Sequence, residues 1–171
     1  MSLTTKFIDF ASKIFLENQN FSPIEITDTS YLESFALLAK QKRSSFGKNY
    51  WFFKTLPATL DEQQAKVLAL ERKQVLKRPL SGYNVYAFVY VAESLVNSNI
   101  LNFLANFNEI YSVRYISPLT SIVSFSVFFD ATSGTIFRPT KEYHIFSIQK
   151  AVNKIVEWFS SHLITPFLQS K

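Results

Sequence analysis

The sequence predicts an α/β domain, or an α+β domain with a mixed sheet, in which four or five strands carry helices on both faces. The run Tyr83–Ala92 has no charged residue and is apolar on both alternating sets of side chains. Such a run is typical of a strand that other elements cover on both sides, so it is predicted to lie in the middle of the sheet. From Tyr50 onward, predicted strands and helices alternate, which favours partly parallel strands joined by right-handed crossovers. A β-hairpin followed by a helix is predicted to complete the C-terminal part.

Length and composition fit one soluble domain, residues 1–171. A chain of 171 residues buries roughly 70% of its unfolded surface and needs no metal or disulfide for stability. The absence of cysteine excludes disulfides and cysteine nucleophiles, and it favours a reducing compartment such as the cytoplasm. Lys6, Asp9 and Lys13 interrupt the apolar core that a signal peptide requires. The uncharged run 115–129 is shorter than the ~20 residues of a membrane span, so no span is predicted.

The first part of the chain predicts two helices, of which the second has an alternative. Thr5 fits the N-cap of the first helix. The sequence Ser-Tyr-Leu-Glu fits a capping box that opens a second helix over 30–43. Residues 35–43 could instead form one arm of a hairpin whose turn lies at 44–49. The strong helix formers in this segment favour the helix.

A strand and a helix are predicted before the central strand. Tyr50–Leu56 is a compact aromatic strand that Pro57 stops. The sequence Thr-Leu-Asp-Glu is a second capping box, and it opens a helix over Leu60–Arg78 that Pro79 and Gly82 terminate. Its apolar side chains and its lysines are predicted to lie on different faces. The apolar set is Leu60, Val67, Leu68 and Val75, and the lysines are Lys66, Lys73 and Lys77.

The second half predicts a helix, a hairpin and a final helix. The first of these is an amphipathic helix over 98–111. Thr120–Phe129 alternates valine and phenylalanine with serine, which predicts a strand with one better buried face. Residues 130–138 provide the turn and the returning arm of the hairpin. A last amphipathic helix begins at Ser147 and is predicted to end before Pro166.

The sequence excludes several kinds of site. Gly47, Gly82 and Gly134 are the only glycines, and they lie too far apart to form a phosphate-binding loop. Two histidines and no cysteine disfavour a transition-metal site, and no cofactor is predicted. Glu71-Arg72-Lys73 resembles the acidic-x-lysine core of metal-dependent nucleases. It lies in a predicted helix rather than on a strand, so these residues are predicted to lie on the helix surface.

Two carboxylates follow directly on predicted strands. Glu93 comes just after Tyr83–Ala92, and Asp130 comes just after the strand that ends at Phe129. Ligand sites in open α/β sheets lie beyond the carboxyl ends of the strands. If the two strands are parallel neighbours, the two carboxylates share one edge and could bind Mg²⁺ or act as acid and base. Asp130 also fits the ordinary opening of a hairpin turn that closes on glycine.

Positive charge is concentrated in one region. The net charge is +5, but residues 40–78 hold ten basic and three acidic residues, a net of +7. A regional basic surface favours an anionic partner, and interleaved rings would suit the stacking of nucleic-acid bases. The candidate residues for such a partner are Lys40, Lys42, Arg43, Lys48, Tyr50, Trp51, Lys66, Lys73 and Lys77.

We therefore predict a small non-catalytic interaction or assembly module. Phenylalanine accounts for 18 residues and hydrophobic residues for 47% of the chain, which indicates aromatic surface outside the core that binds a protein partner or a second copy. The basic region would receive the anionic part of a partner. Two alternatives stay open: binding of single-stranded nucleic acid through the basic and aromatic stretch, and a magnesium-dependent hydrolase that uses Glu93 and Asp130.

Overall fold

The computed structural model of the chain describes residues 1–24, 32–42, 47–57, 60–77, 83–94, 113–117, 120–137 and 146–171. The helices are α1 (Leu3–Glu17), α2 (Glu62–Lys77), α3 (Phe146–Phe159) and α4 (Thr165–Gln169). The strands are β1 (Phe21–Ser22), β2 (Leu37–Lys42), β3 (Gly47–Thr55), β4 (Tyr83–Ala92), β5 (Val113–Ser117), β6 (Thr120–Asp130) and β7 (Ile136–Phe137).

The described strands form one mixed sheet in the order β1-β2-β3-β4-β6-β5, with β7 also paired to β6. β4 is parallel to both of its neighbours, β3 and β6, and pairs with β6 over all ten residues. The other pairings are antiparallel. The predicted mixed sheet with Tyr83–Ala92 in its middle is confirmed. The sheet has more strands than the predicted four or five because β1 and β5 were not predicted. β7 is the predicted returning arm of the C-terminal hairpin and pairs antiparallel with β6.

Helices cover both faces of the sheet, as predicted. Because side chains alternate along a strand, β4 sends Val85, Ala87, Val89 and Val91 to one face and Tyr86, Phe88 and Tyr90 to the other. The valine face packs against α1, α3 and α4. The aromatic face packs against α2. Burial of both alternating sets explains why the strand has no charged residue.

The helix predicted over 30–43 is wrong, and the hairpin alternative is confirmed for its described part. Residues 37–42 form β2, which pairs antiparallel with β3. Ala39 lies opposite Trp51 and is buried with it. Main-chain pairing and burial against β3 outweigh a local helix preference of only a few tenths of a kcal/mol per residue, about the spread among good helix formers. Of the predicted turn at 44–49, residues 44–46 lie outside the described residues and 47–49 belong to β3.

α2 begins two residues later than predicted, and of its predicted inner residues Leu68 and Val75 are buried. Its capping box is formed by Asp61 and Gln64: the Gln64 N–H donates to Asp61 Oδ1 at 2.7 Å, and the Asp61 N–H donates to Gln64 Oε1 at 2.8 Å. Val67, predicted to lie inside, is 48% exposed. The buried positions are Ala65, Leu68, Arg72, Val75 and Leu76.

The C-terminal helix continues past its predicted end. α3 passes into a π-helical turn, Ser160–Ile164, and then into α4. Pro166 lies in the first turn of α4, where its fixed φ suits a helix and its missing N–H is tolerated. The π-helical turn and α4 place Leu163, Ile164 and Phe167 in the core. The helix predicted over 98–111 lies outside the described residues.

The predicted aromatic surface is not found on the described part of the chain. Its large exposed hydrophobic residues are Met1, Leu16, Val67, Leu70 and Phe137. The single aromatic residue in this set, Phe137, is 37% exposed. The described phenylalanines instead pack together inside, since Phe7 alone contacts four other rings.

Candidate functional site

The outward side of α2 combines exposed apolar residues with lysines. Val67 is 48% and Leu70 is 57% exposed, although both are apolar. Leu70 lies one turn after Lys66 and one turn before Lys73, so on a helix the three side chains line up along one stripe. Lys77 follows one turn later. We call Lys66, Val67, Leu70, Lys73 and Lys77 the α2 outer face.

An acidic residue, Glu62, lies beside this face. Glu62 lies one turn before Lys66, and their charged atoms are 3.7 Å apart. Both side chains are more than half exposed, so this ion pair is a weak one. Glu71 belongs to the inward side of the helix, where it accepts from Lys54. The α2 outer face is therefore an apolar pair bordered by ammonium groups.

Predicted binding residues of the sheet lie on the same side as α2. Lys40 is in register with Tyr50, whose ring belongs to the core beneath α2. Lys48 precedes Tyr50 by two residues on β3 and is exposed, so the alternation of a strand places it on that side as well. Lys42 lies opposite Lys48 in the β2–β3 register. Arg43 lies outside the described residues.

Tyr50 and Trp51 are part of the core and are not available to stack on nucleic-acid bases. Tyr50 is 3% exposed and Trp51 is 1% exposed. The Tyr50 ring lies 5.2 Å from the Tyr86 ring, and the Trp51 ring lies 5.4 Å from that of Trp158. Burial also raises the pKa of the Tyr50 phenol. The prediction that these rings contact a ligand is therefore corrected: they connect β3 to the layers on either side of the sheet.

A buried polar cluster attaches α2 to the sheet. Arg72, predicted to lie on the helix surface, is only 4% exposed. Its Nη1 donates to Ser126 Oγ at 3.2 Å, and its guanidinium lies 5.7 Å from the centre of the Phe88 ring. Lys54 Nζ donates to Glu71 Oε1 at 2.7 Å. These contacts fix the rotation of α2 about its axis and therefore determine which residues its outer face presents.

The serine side of β6 is buried, contrary to the prediction of one better buried face. Ser124 is 0% and Ser126 is 1% exposed. Serine is small and polar, so it leaves room beneath α2 for the arginine side chain and accepts its hydrogen bond. The alternation of valine and phenylalanine with serine thus marks a polar contact inside the protein rather than an exposed face.

We expect the cluster to make stability fall at alkaline pH. Tyr90 is buried, and burial raises the pKa of its phenol. The charge of Glu71 raises this pKa further, and the charge of Arg72 lowers it in part. The folded state therefore keeps a proton that the unfolded chain loses near pH ~10. Stability is fully present below that pH and decreases above it by up to about 1.4 kcal/mol per pH unit for this one proton. Urea unfolding from about pH 8 to 11 should show a smaller decrease for Tyr90→Phe. Equal slopes for the two proteins would contradict this assignment.

Glu93 and Asp130 lie at the same edge of the sheet. β4 and β6 are parallel neighbours, and Ala92 pairs with Asp130. Glu93 Oε1 accepts from the Leu3 N–H at 2.9 Å at the start of α1. Asp130 Oδ1 accepts from the N–H groups of Thr132 and Ser133 at 2.8 and 3.0 Å. Glu93 thus stabilises the start of α1, and Asp130 stabilises the turn after β6. Their joint action on Mg²⁺ or a substrate stays a prediction.

The sequence patterns identified the lysines of α2 but missed its apolar pair and its buried arginine. The signal for Leu70 was available, because its position between Lys66 and Lys73 on one stripe follows from helical spacing alone. No local signal identified Arg72 as buried. Within the described ranges, no three histidine, aspartate or glutamate side chains are grouped to hold a metal ion.

Comparisons with known proteins add no assignment to this geometry. No helix in the described part of the chain is both long and apolar enough to cross a membrane. No protein-family model, curated protein or solved structure matches the chain.

Proposed function

We propose that the chain is a non-catalytic interaction module that binds an acidic protein partner through the α2 outer face. The observation that supports this most directly is Leu70, an apolar side chain that is 57% exposed between two lysines. Protein interfaces commonly combine an apolar centre with a polar rim. The ammonium groups of Lys66 and Lys73 favour a partner that carries carboxylates around its own apolar contact.

The buried cluster beneath α2 supports this proposal because it holds the binding surface in one conformation. Arg72 donates to Ser126, and Glu71 accepts from Lys54, so the helix is attached to both β3 and β6. A surface that is already ordered loses less conformational entropy when a partner binds. The α2 outer face is therefore suited to binding without rearrangement.

Single-stranded nucleic acid is the alternative partner for the same lysines. Lys40 and Lys48 on the sheet would extend the positive surface for a phosphate backbone. Stacking rings normally contribute much of the affinity for single strands, but α2 contains no aromatic residue. Tyr50 and Trp51 are buried. An acidic protein therefore fits the exposed valine and leucine better.

Leu70→Gln is expected to weaken binding of an acidic amphipathic peptide about tenfold, because replacing one central apolar contact by a polar amide costs about 1.4 kcal/mol. The probe is a fluorescein-labelled helix with leucines on one side and glutamates beside them, titrated by fluorescence anisotropy. Lys66→Gln combined with Lys73→Gln should weaken binding and reduce its salt dependence.

The chain offers matched controls. Leu16 is 80% exposed on α1, so Leu16→Gln removes an exposed leucine elsewhere and should leave the affinity unchanged. Lys150→Gln combined with Lys154→Gln removes two exposed lysines of α3 and should also leave the affinity unchanged. If a single-stranded oligonucleotide binds more tightly than the peptide and Leu70→Gln has no effect on either ligand, the proposal fails in favour of nucleic acid. Equal effects of the α2 variants and the controls would also refute it.

A further inference from the structure

A groove of about 470 Å³ lies between α1 and α4, on the face of the sheet opposite α2. Its apolar lining includes Phe10 and Phe167. Phe167 is 4% exposed, and its ring lies 5.8 Å from the Phe10 ring and 5.1 Å from the ring of the buried Phe7. The floor of the groove is therefore part of the packed core and has a fixed shape.

The rim of this groove is mainly basic. Lys6 and Lys13 lie on it, two turns apart on α1, with Asp9 between them. Lys171, two residues after the end of α4, lies on it as well. Within the described residues, the ion pairs closer than 4.0 Å are Lys54–Glu71 and Lys66–Glu62. Asp9 therefore forms no ion pair closer than 4.0 Å with Lys6 or Lys13, and its one carboxylate offsets only part of their positive charge. Three ammonium groups and one carboxylate make the rim complementary to an anion.

Lys171 is held in place at this rim. Its Nζ donates to the carbonyl oxygens of Ala131 and Thr132, and it lies 5.4 Å from the centre of the Phe167 ring. An ammonium group has three N–H donors, so two bonds to the backbone still leave one for a ligand. A fixed ammonium group next to an apolar floor suits a ligand that has both an anionic and an apolar part.

The groove also lies near the edge where ligands bind in α/β folds. Ala131 and Thr132 directly follow β6, and the first residue of α1, Leu3, is hydrogen-bonded to Glu93 at the end of β4. The groove therefore adjoins the carboxyl ends of the two central parallel strands, the region where open α/β sheets place ligands. Its volume is within the range of about 300–1,000 Å³ usual for small-molecule sites.

We propose that this groove binds a small anionic amphiphile. Lys6, Lys13 and Lys171 hold its single anionic head, a carboxylate or a phosphate, and its apolar tail lies on Phe10 and Phe167. Lysine acts as a compact point charge without the planar geometry that selects one kind of oxyanion, so the two head groups share one chemistry. This site is independent of the α2 outer face, from which the sheet separates it.

Isothermal titration calorimetry of the full chain with decanoate, decyl phosphate and decanol tests the proposal. We expect both anions to bind with 1:1 stoichiometry, and decanol to bind at least about tenfold more weakly, because it lacks the charge. Binding of decyl phosphate alone identifies a phosphate head, and binding of decanoate alone identifies a carboxylate head. Binding of neither anion, or decanol binding as tightly as the anions, overturns the proposal.

Variants with opposite expected effects sharpen the test. Lys6→Ala combined with Lys13→Ala should weaken binding of the anion about three- to tenfold, as the loss of two exposed charges implies. Asp9→Asn removes the one negative group of the rim and should strengthen binding about two- to fivefold. Lys150→Ala combined with Lys154→Ala, two lysines of α3 outside the groove, should have no effect. All these side chains are exposed, so the variants are expected to fold. If Asp9→Asn weakens binding, or if the two lysine pairs have equal effects, the assignment of the groove is wrong.

Discussion

Phe7→Ala is expected to lower the free energy of unfolding by about 3–5 kcal/mol. Phe7 is fully buried on α1, and its ring contacts those of Phe53, Phe129, Phe159 and Phe167 at centroid distances of 4.6 to 6.5 Å. These partners come from β3, β6, α3 and α4. Removal of the ring leaves a cavity where α1 meets four other elements, and it removes aromatic contacts in addition to buried area.

Urea unfolding followed by tryptophan fluorescence measures this loss, because Trp51 belongs to the same core and Trp158 packs against it. Phe7→Leu, which keeps most of the volume, should cost clearly less than alanine. Phe137→Ala provides the control, since this phenylalanine is 37% exposed at the edge strand β7 and its loss should cost less than about 1 kcal/mol. If Phe7→Ala costs no more than Phe137→Ala, α1 does not pack on the sheet in the described way.

Arg72→Ala is expected to lower the free energy of unfolding by about 2–4 kcal/mol. The substitution removes the buried stem that lies over Phe88, and it leaves the Ser126 hydroxyl without the donor it has in the folded protein. Loss of a long buried side chain costs about 2–5 kcal/mol in protein cores, and an unsatisfied buried polar group costs about 1–3 kcal/mol. The two costs do not add in full, because the variant no longer buries a charged guanidinium, whose desolvation destabilises the folded protein.

Arg72→Met separates packing from charge. Methionine keeps an unbranched stem of similar length but has no charge to desolvate, so it should cost clearly less than alanine, about 1 kcal/mol. Equal losses for the two variants would show that the polar contacts of the guanidinium, and not its stem, stabilise the cluster. Lys66→Ala is the control on the exposed side of α2 and should change stability by less than about 1 kcal/mol. Chemical denaturation at neutral pH gives all three values.

The fold was predictable where the signal is local. Apart from Asn84, both alternating sets of side chains in 83–92 are apolar or aromatic. A strand with that pattern is covered on both faces, so its central place followed from the sequence. Residues 37–42 gave no such signal, because their local preference is helical. Their strand pairs with β3, where Leu38 lies opposite Phe52, and this contact with another segment overrides the weak local preference.

The candidate site shows the same division between local and non-local information. The alignment of Lys66, Lys73 and Lys77 on α2 follows from helical spacing, and all three are exposed. Tyr50 and Trp51 stand among lysines in the sequence, but their exposure depends on the layers above and below β3, and these layers bury both rings. The basic groove between α1 and α4 is lined by residues of the segments 1–13 and 167–171. Because these segments are far apart in the sequence, no local pattern predicted that they lie together.

The sequence by itself determined the mixed sheet, the position of β4 and the excess of positive charge in 40–78, because each depends on periodicity or composition within one segment. Only the tertiary structure decided that Arg72 is buried, since its acceptor Ser126 lies 54 residues away on β6. It also decided which rings fill the core and which apolar residues remain outside, Leu70 above all. The physical reason is that burial is a property of contacts between segments, and a side chain loses water only when another part of the chain covers it.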